Sequence, residues 1–598
     1  MFVWPPGDLN PEQEAAIKEP GSVFLVACPG SGKTRTLTYK VARLLSTLTS
    51  EKQWVIAITY THRAADEIEE RVERLGVGTA QLWIGTIHSF CLDWIIRPYA
   101  IYHPDLRDGF KVIDSHDAEV LLTELCAPYA SQRVTYWDCG YHFTPAGRVL
   151  SCETKKRAAV GAILDRYHQR LKANRQLDYE LILQCAYDLI VKNPTIGVLL
   201  NSLLTAVLVD EYQDTKEIQY AILAEILKAG DRKTAAFVVG DPNQAIYGSL
   251  GGYAITAAQF GAIANVNFRE MELSQNYRSS KRIVGYFANY NVHATKIEAA
   301  AKHKDHVSLI SFDTKTSKDE LEGELIRLIR HSAETLGIPH HEICIVAPQW
   351  VHLAGMTRRL VAAMPDYRFD GPGMVPFARD IDNFWYKLSR IVLTEASPGM
   401  YVRRLRWAAE VLTALDDAGA NVSDLSRKTL LRECNSVSLV EQDGLTYLRQ
   451  FFDLLFARIG IDYCKFPALL DHHQAFFESS TARIARLTKE GAAFISDIAT
   501  FRRVFETRSG ITLSTIHGVK GAEFDTVIAY ALLEGMVPHF ADAAGDISAN
   551  KLLYVIASRA KKHLHLIAER GRMRGGGRGE YEATRVLAVC GFTYDVVP

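Results

Sequence analysis

The chain has no paired-cysteine motif. Its ten cysteines are scattered and never form CxxC, which excludes the spacing of zinc and iron–sulfur sites and points to reduced thiols. Long apolar runs are missing as well. No stretch approaches the ~20 residues that a membrane-spanning helix needs, so no membrane partner is expected. The opening "MFVWPPGDLN" has no basic stretch followed by an apolar core; it does not read as a secretory signal, and a cytoplasmic location is the expectation. Neither sign of charge is in excess. Lys and Arg number 68 against 69 acidic residues, so a nucleic-acid partner would have to be held in a local groove, not on a globally basic surface.

What is present is an ordinary globular composition, 48% hydrophobic and 23% charged, over 598 residues. That length is too great for one core and implies several domains. Apolar runs alternate with amphipathic segments near the start: "SVFLVA" and "WVIAITYT" read as strands, "KTRTLTYKVARLLSTL" and "HRAADEIEERVERL" as helices. Such alternation marks a parallel α/β sheet. From about 92 to 200 the pattern is mostly helical, and strands return at "AVLVDEYQD" and "AAFVVGD". "ICIVAPQ" begins a second α/β region, a helical block follows, and "ITLST", "TVIAYAL" and "HLHLI" close the chain. The second half therefore repeats the plan of the first. The Gly/Arg-rich "RGRMRGGGRGE" reads either as a flexible loop or as a loop that contacts phosphate.

The first strand runs straight into "ACPGSGKT", residues Ala27, Cys28, Pro29, Gly30, Ser31, Gly32, Lys33 and Thr34. Glycines let the backbone approach a ligand closely, and a strand, such a loop and a helix N-terminus together cradle an anion. The phosphate-loop pattern is matched except at its first glycine, which is Ala27 here. A nucleotide engine also needs carboxylates at a strand end. "AVLVDEYQD" supplies Asp210, which can position Mg²⁺ together with the Thr34 hydroxyl, and Glu211, which can polarise an attacking water. A kinase would not need the second acid, so the pair favours hydrolysis.

Further segments follow in a fixed order: "LNPEQEAAI", "AITYTHRAADEI", "GTIHSF", "VDEYQDTKEIQY", "VVGDPNQAIYG", "LSQNYRSSKRI", "STIHGVKGAEFDTV" and "LLYVIASRAKKHLHLI". Together they resemble the UvrD/Rep/PcrA-like branch of superfamily 1 helicases, and the resemblance spans residues 9 to 567. It implies two RecA-like P-loop domains, each with a mostly helical insertion. The implied division is 1–91 with 201–278 as domain 1A, 92–200 as insertion 1B, 279–384 with 509–598 as domain 2A, and 385–508 as a reduced insertion 2B. It also implies an ATP- and Mg²⁺-dependent motor that moves 3′ to 5′ on single-stranded DNA and acts on DNA with a 3′ tail, in repair, recombination or replication restart.

The resemblance carries residue roles with it. Gln13 matches the glutamine that reads adenine, Arg35 a further nucleotide contact, Tyr277 the ring stacked on the base, and Glu523 the acid facing the ribose. Lys33 matches the phosphate lysine and Gln244 the γ-phosphate sensor. Arg278 and Arg559 resemble paired arginine fingers. Tyr60 matches an aromatic platform for the strand, while Thr61, Arg63, Thr86, His88, Ser89, Thr515, His517 and Lys520 fall on strand-contact or coupling positions; Ser89 and His517 are equally open to a structural role. Three departures stand out. Ser249 and Leu250 replace an aromatic and an arginine, the acidic pair before the last motif is absent, and the second insertion is short. Two alternatives stay open: a translocase that works with a separate nuclease, since no nuclease-like tail follows the last motif, and an ATP-switched binding scaffold that does not move.

Overall fold

The computed structural model of the chain describes residues 2–113, 115–230, 234–371, 375–377, 380, 382–489, 494–506, 509–575 and 579–597, with the side chains of Arg63 and His116 outside that description. Six strands make the first sheet: β1 (Val23–Ala27), β2 (Trp54–Thr59), β3 (Leu82–Thr86), β4 (Leu204–Val209), β5 (Ala235–Gly240) and β6 (Arg269–Leu273). Their order is β6-β1-β5-β4-β2-β3, and every pairing is parallel. Helices cover both faces, so the central strands are apolar throughout. Val23, Leu25, Val55, Ile56, Ala57, Leu208, Val238 and Val239 are all buried.

The second sheet has the same plan. Its strands are β7 (Ile310–Asp313), β8 (Ile343–Ala347), β9 (Phe369–Asp370), β10 (Ile511–Thr515), β11 (Phe524–Ala529) and β12 (Ala560–Ile567), in the order β7-β12-β11-β8-β10-β9, again all parallel. The crossing between lobes follows β6. The helix Lys281–Phe287 already buries Ile283, Val284, Tyr286 and Phe287 in the core of the second lobe.

Each sheet is interrupted once. Between β3 and β4 lie the helices Ser115–Cys126, Arg157–Ala173, Tyr179–Lys192 and Pro194–Leu203. The block is mostly helical, and an antiparallel hairpin, Tyr141–Thr144 with Gly147–Leu150, belongs to it as well. Between β9 and β10 lies a second block whose helices include Phe384–Val392, Tyr401–Asp417, Arg427–Ser436, Gly444–Ile459 and Pro467–Lys489. It has its own aromatic core around Trp385, Phe451, Phe452, Phe456 and Phe477. Arginines tie it to the first lobe. Arg403 bonds Glu70 and Arg406 lies against Glu69, both at 3.0 Å, on the helix His62–Arg74.

Candidate ATP site and strand-binding face

Four short loops at strand ends converge on the cleft between the lobes. The first joins β1 to the helix Lys33–Leu45, whose N-cap Gly32 has φ +82°; Gly30 has φ +68°. Both positions are closed to side chains. A Cβ on Gly30 would lie 2.5 Å from Arg278 Cβ, and one on Gly32 would lie 2.7 Å from Gln13 Nε2. Ser31 Oγ donates to Cys28 O at 2.8 Å and steadies the turn. Gln13 is held at both ends of its amide: Oε1 accepts from Asn10 N at 3.0 Å in a capping box, and Nε2 donates to Ser31 O at 2.9 Å. Lys33 Nζ is folded back towards Ala27 O at 3.4 Å. Arg35 lies 3.6 Å from Asp8. The exposed Tyr277 ring meets Asn10 through its hydroxyl at 2.9 Å, which brings Gln13 and Tyr277 to one edge of the loop.

The acidic loop follows β4. Asp210 and Glu211 are adjacent, and Glu211 takes φ +52° so that its N–H can donate to Asp210 Oδ1 at 3.0 Å. Burial, and then the neighbouring Glu211, push the Asp210 carboxyl up. Burial also opposes charge on Glu211, but Lys33, Lys520, the Gln213 amide and Arg559 outweigh it and hold Glu211 below the usual range. The pair is therefore split, with Glu211 the readier to stay ionised. Thr34 and Asp210 offer hard oxygen donors, which suits a divalent ion of the Mg²⁺ kind. Among the described residues no cluster of three or more His, Cys, Asp or Glu makes a metal site alone, so phosphate oxygens and water would complete the shell.

Several residues that the sequence did not single out organise this centre. Gln213, fully buried, donates from Nε2 to Glu211 and accepts at Oε1 from Asp241 N at 2.9 Å. Asp241 accepts from Gln244 Nε2 at 2.7 Å and from Tyr554 OH at 3.3 Å. An acid directly after the apolar "AAFVVG" was the available signal, the same one that marks Asp210. Asn276 staples the crossover to the phosphate loop, donating to Pro29 O at 2.6 Å and accepting from Arg278 N at 3.0 Å.

The second lobe reaches in from the opposite side. Arg559 is 1% exposed and donates from Nη2 to Gln244 Oε1 at 2.8 Å. Burial and the nearby Arg278 lower its pKa to about 9. Arg278 donates to Glu523 at 2.7 Å and to Ser558 O at 3.0 Å. Lys520 is not on an open face; its ammonium is buried in this cleft against Asp214 and Gln244 O.

Beside the cleft lies an aromatic path. Tyr60, 46% exposed after β2, has its ring 5.1 Å from Tyr247, and Tyr247 lies 5.3 Å from His517 of the second lobe. Tyr247 thus brings a ring to the region where Ser249 left an aromatic missing. Thr61, Thr86 and Thr515 use their hydroxyls on backbone: Thr61 caps the helix His62–Arg74, Thr86 accepts from Ser89 N at 3.3 Å, and Thr515 accepts from Gly518 N at 3.0 Å. His88 stands edge-on to Tyr179 at 5.5 Å, and burial drops its pKa to about 4. Arg63 lies outside the described side chains, as do residues 576–578 of the Gly/Arg-rich stretch. No described helix is long and apolar enough to cross a membrane.

The chain matches the UvrD/REP helicase N-terminal domain over residues 9–260 and the UvrD-like helicase C-terminal domain over residues 494–571. It is 25% identical to an ATP-dependent DNA helicase PcrA of Staphylococcus aureus strain MRSA252, over 95% of this chain and 84% of that protein. It is 24% identical, with the same coverage, to the protein of that name from Staphylococcus epidermidis strain RP62A. Two family domains in order, covering more than half of the chain and bracketing a two-lobed P-loop cleft, place it: the chain belongs to the UvrD/Rep family of superfamily 1 helicases.

Proposed function

We propose that the protein is an ATP-driven motor that moves 3′ to 5′ along single-stranded DNA and separates duplexes carrying a 3′ tail. The observation that carries the reading is the buried bond from Arg559 of one lobe to Gln244 of the other. A phosphoryl group between the lobes would compete for that guanidinium, so nucleotide state and lobe position are linked through one contact. In this reading Lys33 grips the phosphates and Thr34 with Asp210 holds Mg²⁺, which when bound neutralises charge on the β- and γ-oxygens. Glu211 orients the attacking water and takes its proton. Arg278 and Arg559 stabilise charge on the transferring group.

Gln13, Arg35, Tyr277 and Glu523 surround the nucleoside. Tyr60, Tyr247 and His517 offer ring faces to bases, with Thr61, Arg63, Thr86, His88 and Thr515 beside the strand; such stacking tolerates any base. The lobes correspond to residues 1–91 with 201–278 and 279–384 with 509–598, and the insertions to 92–200 and 385–508.

The test is ATP turnover with and without single-stranded DNA or RNA, followed by strand displacement on tailed duplexes. Turnover stimulated by single-stranded DNA and displacement from a 3′ tail are expected. Displacement from 5′ tails alone would overturn the polarity, and unstimulated turnover would overturn the motor.

A further inference from the structure

The second helical block contains a buried cation for which the described protein supplies no counter-charge. Arg404, on the helix Tyr401–Asp417, is 5% exposed. Its Nη2 donates to two neutral acceptors, Ile391 O at 3.3 Å and Asn435 Oδ1 at 2.7 Å. Its Nε is buried without a partner. Among the described residues no carboxylate pairs with it, whereas the neighbouring arginines are all served: Arg390 by Glu410, Arg403 by Glu70 and Arg406 by Glu69. Ile391 lies at the C-terminal end of the helix Phe384–Val392, but a helix end offers only about half a charge. Burying an ion without a full partner is strongly unfavourable, and burial holds Arg404 below the usual guanidinium range.

Asn435, which accepts from Arg404, also lines an open cavity of about 390 Å³ together with Tyr401, Lys428, Arg432 and Ser436. Lys428 has no ion pair among the described residues. Arg432 bonds Glu433 at 3.2 Å, and Glu433 is shared with Arg458 at 3.1 Å. Arg432 and Arg458 thus share Glu433, while Lys428 on the same rim has no carboxylate partner among the described residues. The rim adds the amide of Asn435 and the hydroxyl of Tyr401 as donors. An occupant must be anionic and must present several acceptor oxygens to groups spread around one mouth.

We propose that this cavity is an anion site that takes a phosphate group, with Lys428, Arg432 and Asn435 at its mouth and Arg404 providing charge from beneath. A phosphate supplies the charge that Arg404 lacks and enough oxygens for every donor. The cavity belongs to the second helical block and not to the cleft between the lobes, so the inference does not depend on the motor reading. The phosphate can belong to a nucleic-acid backbone or to a free phosphate or monoester.

The test is thermal unfolding of the full chain carrying Lys33→Ala, which weakens phosphate binding at the P-loop, titrated with inorganic phosphate against chloride of matched ionic strength. A saturable rise of a few degrees with phosphate alone is expected, because a ligand that binds only the folded state stabilises it. Adding Lys428→Ala and Arg432→Ala, both at exposed positions, abolishes the rise; Arg404→Met abolishes it from beneath. A rise that chloride reproduces, no rise, or a rise that survives Lys428→Ala with Arg432→Ala overturns the site. A short blunt duplex then separates the sources. Loss of the phosphate response on adding duplex assigns the site to a backbone phosphodiester, and an unchanged response assigns it to free phosphate or a monoester.

Discussion

Lys520 of the second lobe places its ammonium 2.7 Å and 2.5 Å from the two carboxylate oxygens of Asp214 in the first lobe. Both side chains are almost completely buried, and the same ammonium donates to Gln244 O at 2.7 Å. Burial alone would push Asp214 far up; Lys520 works against it, and the result is about 7. Removing one partner of a buried pair leaves the other charge stranded, which costs about 3–5 kcal/mol. Lys520→Met is therefore expected to lower stability by about that amount in urea unfolding, and Lys520→Met with Asp214→Leu to regain most of it. ATP turnover should stay low in both. If the single variant unfolds like wild type, the pair does not hold the lobes together.

Gln213 is expected to act as a positioning residue for Glu211. Gly240 leaves it room, since a Cβ there would lie 2.2 Å from Gln213 Oε1. Gln213→Ala should lower kcat by about 10²-fold, the usual cost of a misplaced reacting group, with KM little changed. Gln213→Glu sets a second carboxylate against Glu211, so the acid limb of the kcat–pH profile should move to higher pH. A profile that keeps its midpoint would refute the orienting role.

The chemistry of the cleft makes the sharpest demand on three residues. Glu211→Gln should bind ATP and fail to hydrolyse it. Arg278→Ala and Arg559→Ala should each lose about 10³–10⁵ in rate, the range for arginine fingers in phosphoryl transfer. Single-turnover hydrolysis measures all three. Normal turnover in Glu211→Gln would remove that residue from the mechanism.

Tyr60 and Tyr247 stand 5.1 Å apart with planes inclined at 31°, so a base can be met by two rings although residue 249 is serine. Base–aromatic stacking is worth about 1–3 kcal/mol per base. Tyr60→Ala and Tyr247→Ala should each weaken single-strand binding by that amount at every salt concentration, with the salt slope unchanged because the phosphate contacts are kept. Fluorescence anisotropy across a salt series checks both; wild-type affinity in Tyr247→Ala would confine stacking to Tyr60.

Acid should destabilise the second sheet. His565 is completely buried on β12, its Nδ1 against Ser311 Oγ at 2.8 Å, and burial followed by His563 lowers its pKa to about 3. The unfolded value is about 6.5. A histidine depressed in the fold contributes stability that is complete above its unfolded pKa and is lost as pH falls from about 6.5 towards 3. His565→Leu should flatten that part of the stability–pH curve while costing about 1 kcal/mol near neutrality for the lost hydrogen bond. A curve as steep as wild type would mean that His563 and His352, each lowered to about 4, carry the acid response.

The sequence by itself determined the central strands, because strands buried on both faces must be apolar throughout, and "VFLVA", "WVIAIT" and "AAFVVG" can hardly be anything else. It also determined the phosphate loop and the Asp210–Glu211 pair, since local glycine and acid spacing carries their chemistry. Edge strands were not legible: β6 is "REMEL", mostly exposed, and β9 is two residues long, so neither needs an apolar signature. The division of labour around the cleft was decided only by the fold. Lys520 stood at a strand-contact or coupling position in the sequence, and only the packing of the lobes set it against Asp214, a residue 306 positions away. Tyr247 became a partner of Tyr60, and Arg404 was left with no carboxylate among the described residues, for the same reason. Which charges meet and which remain alone depends on packing between segments far apart in the chain, and no local pattern records it.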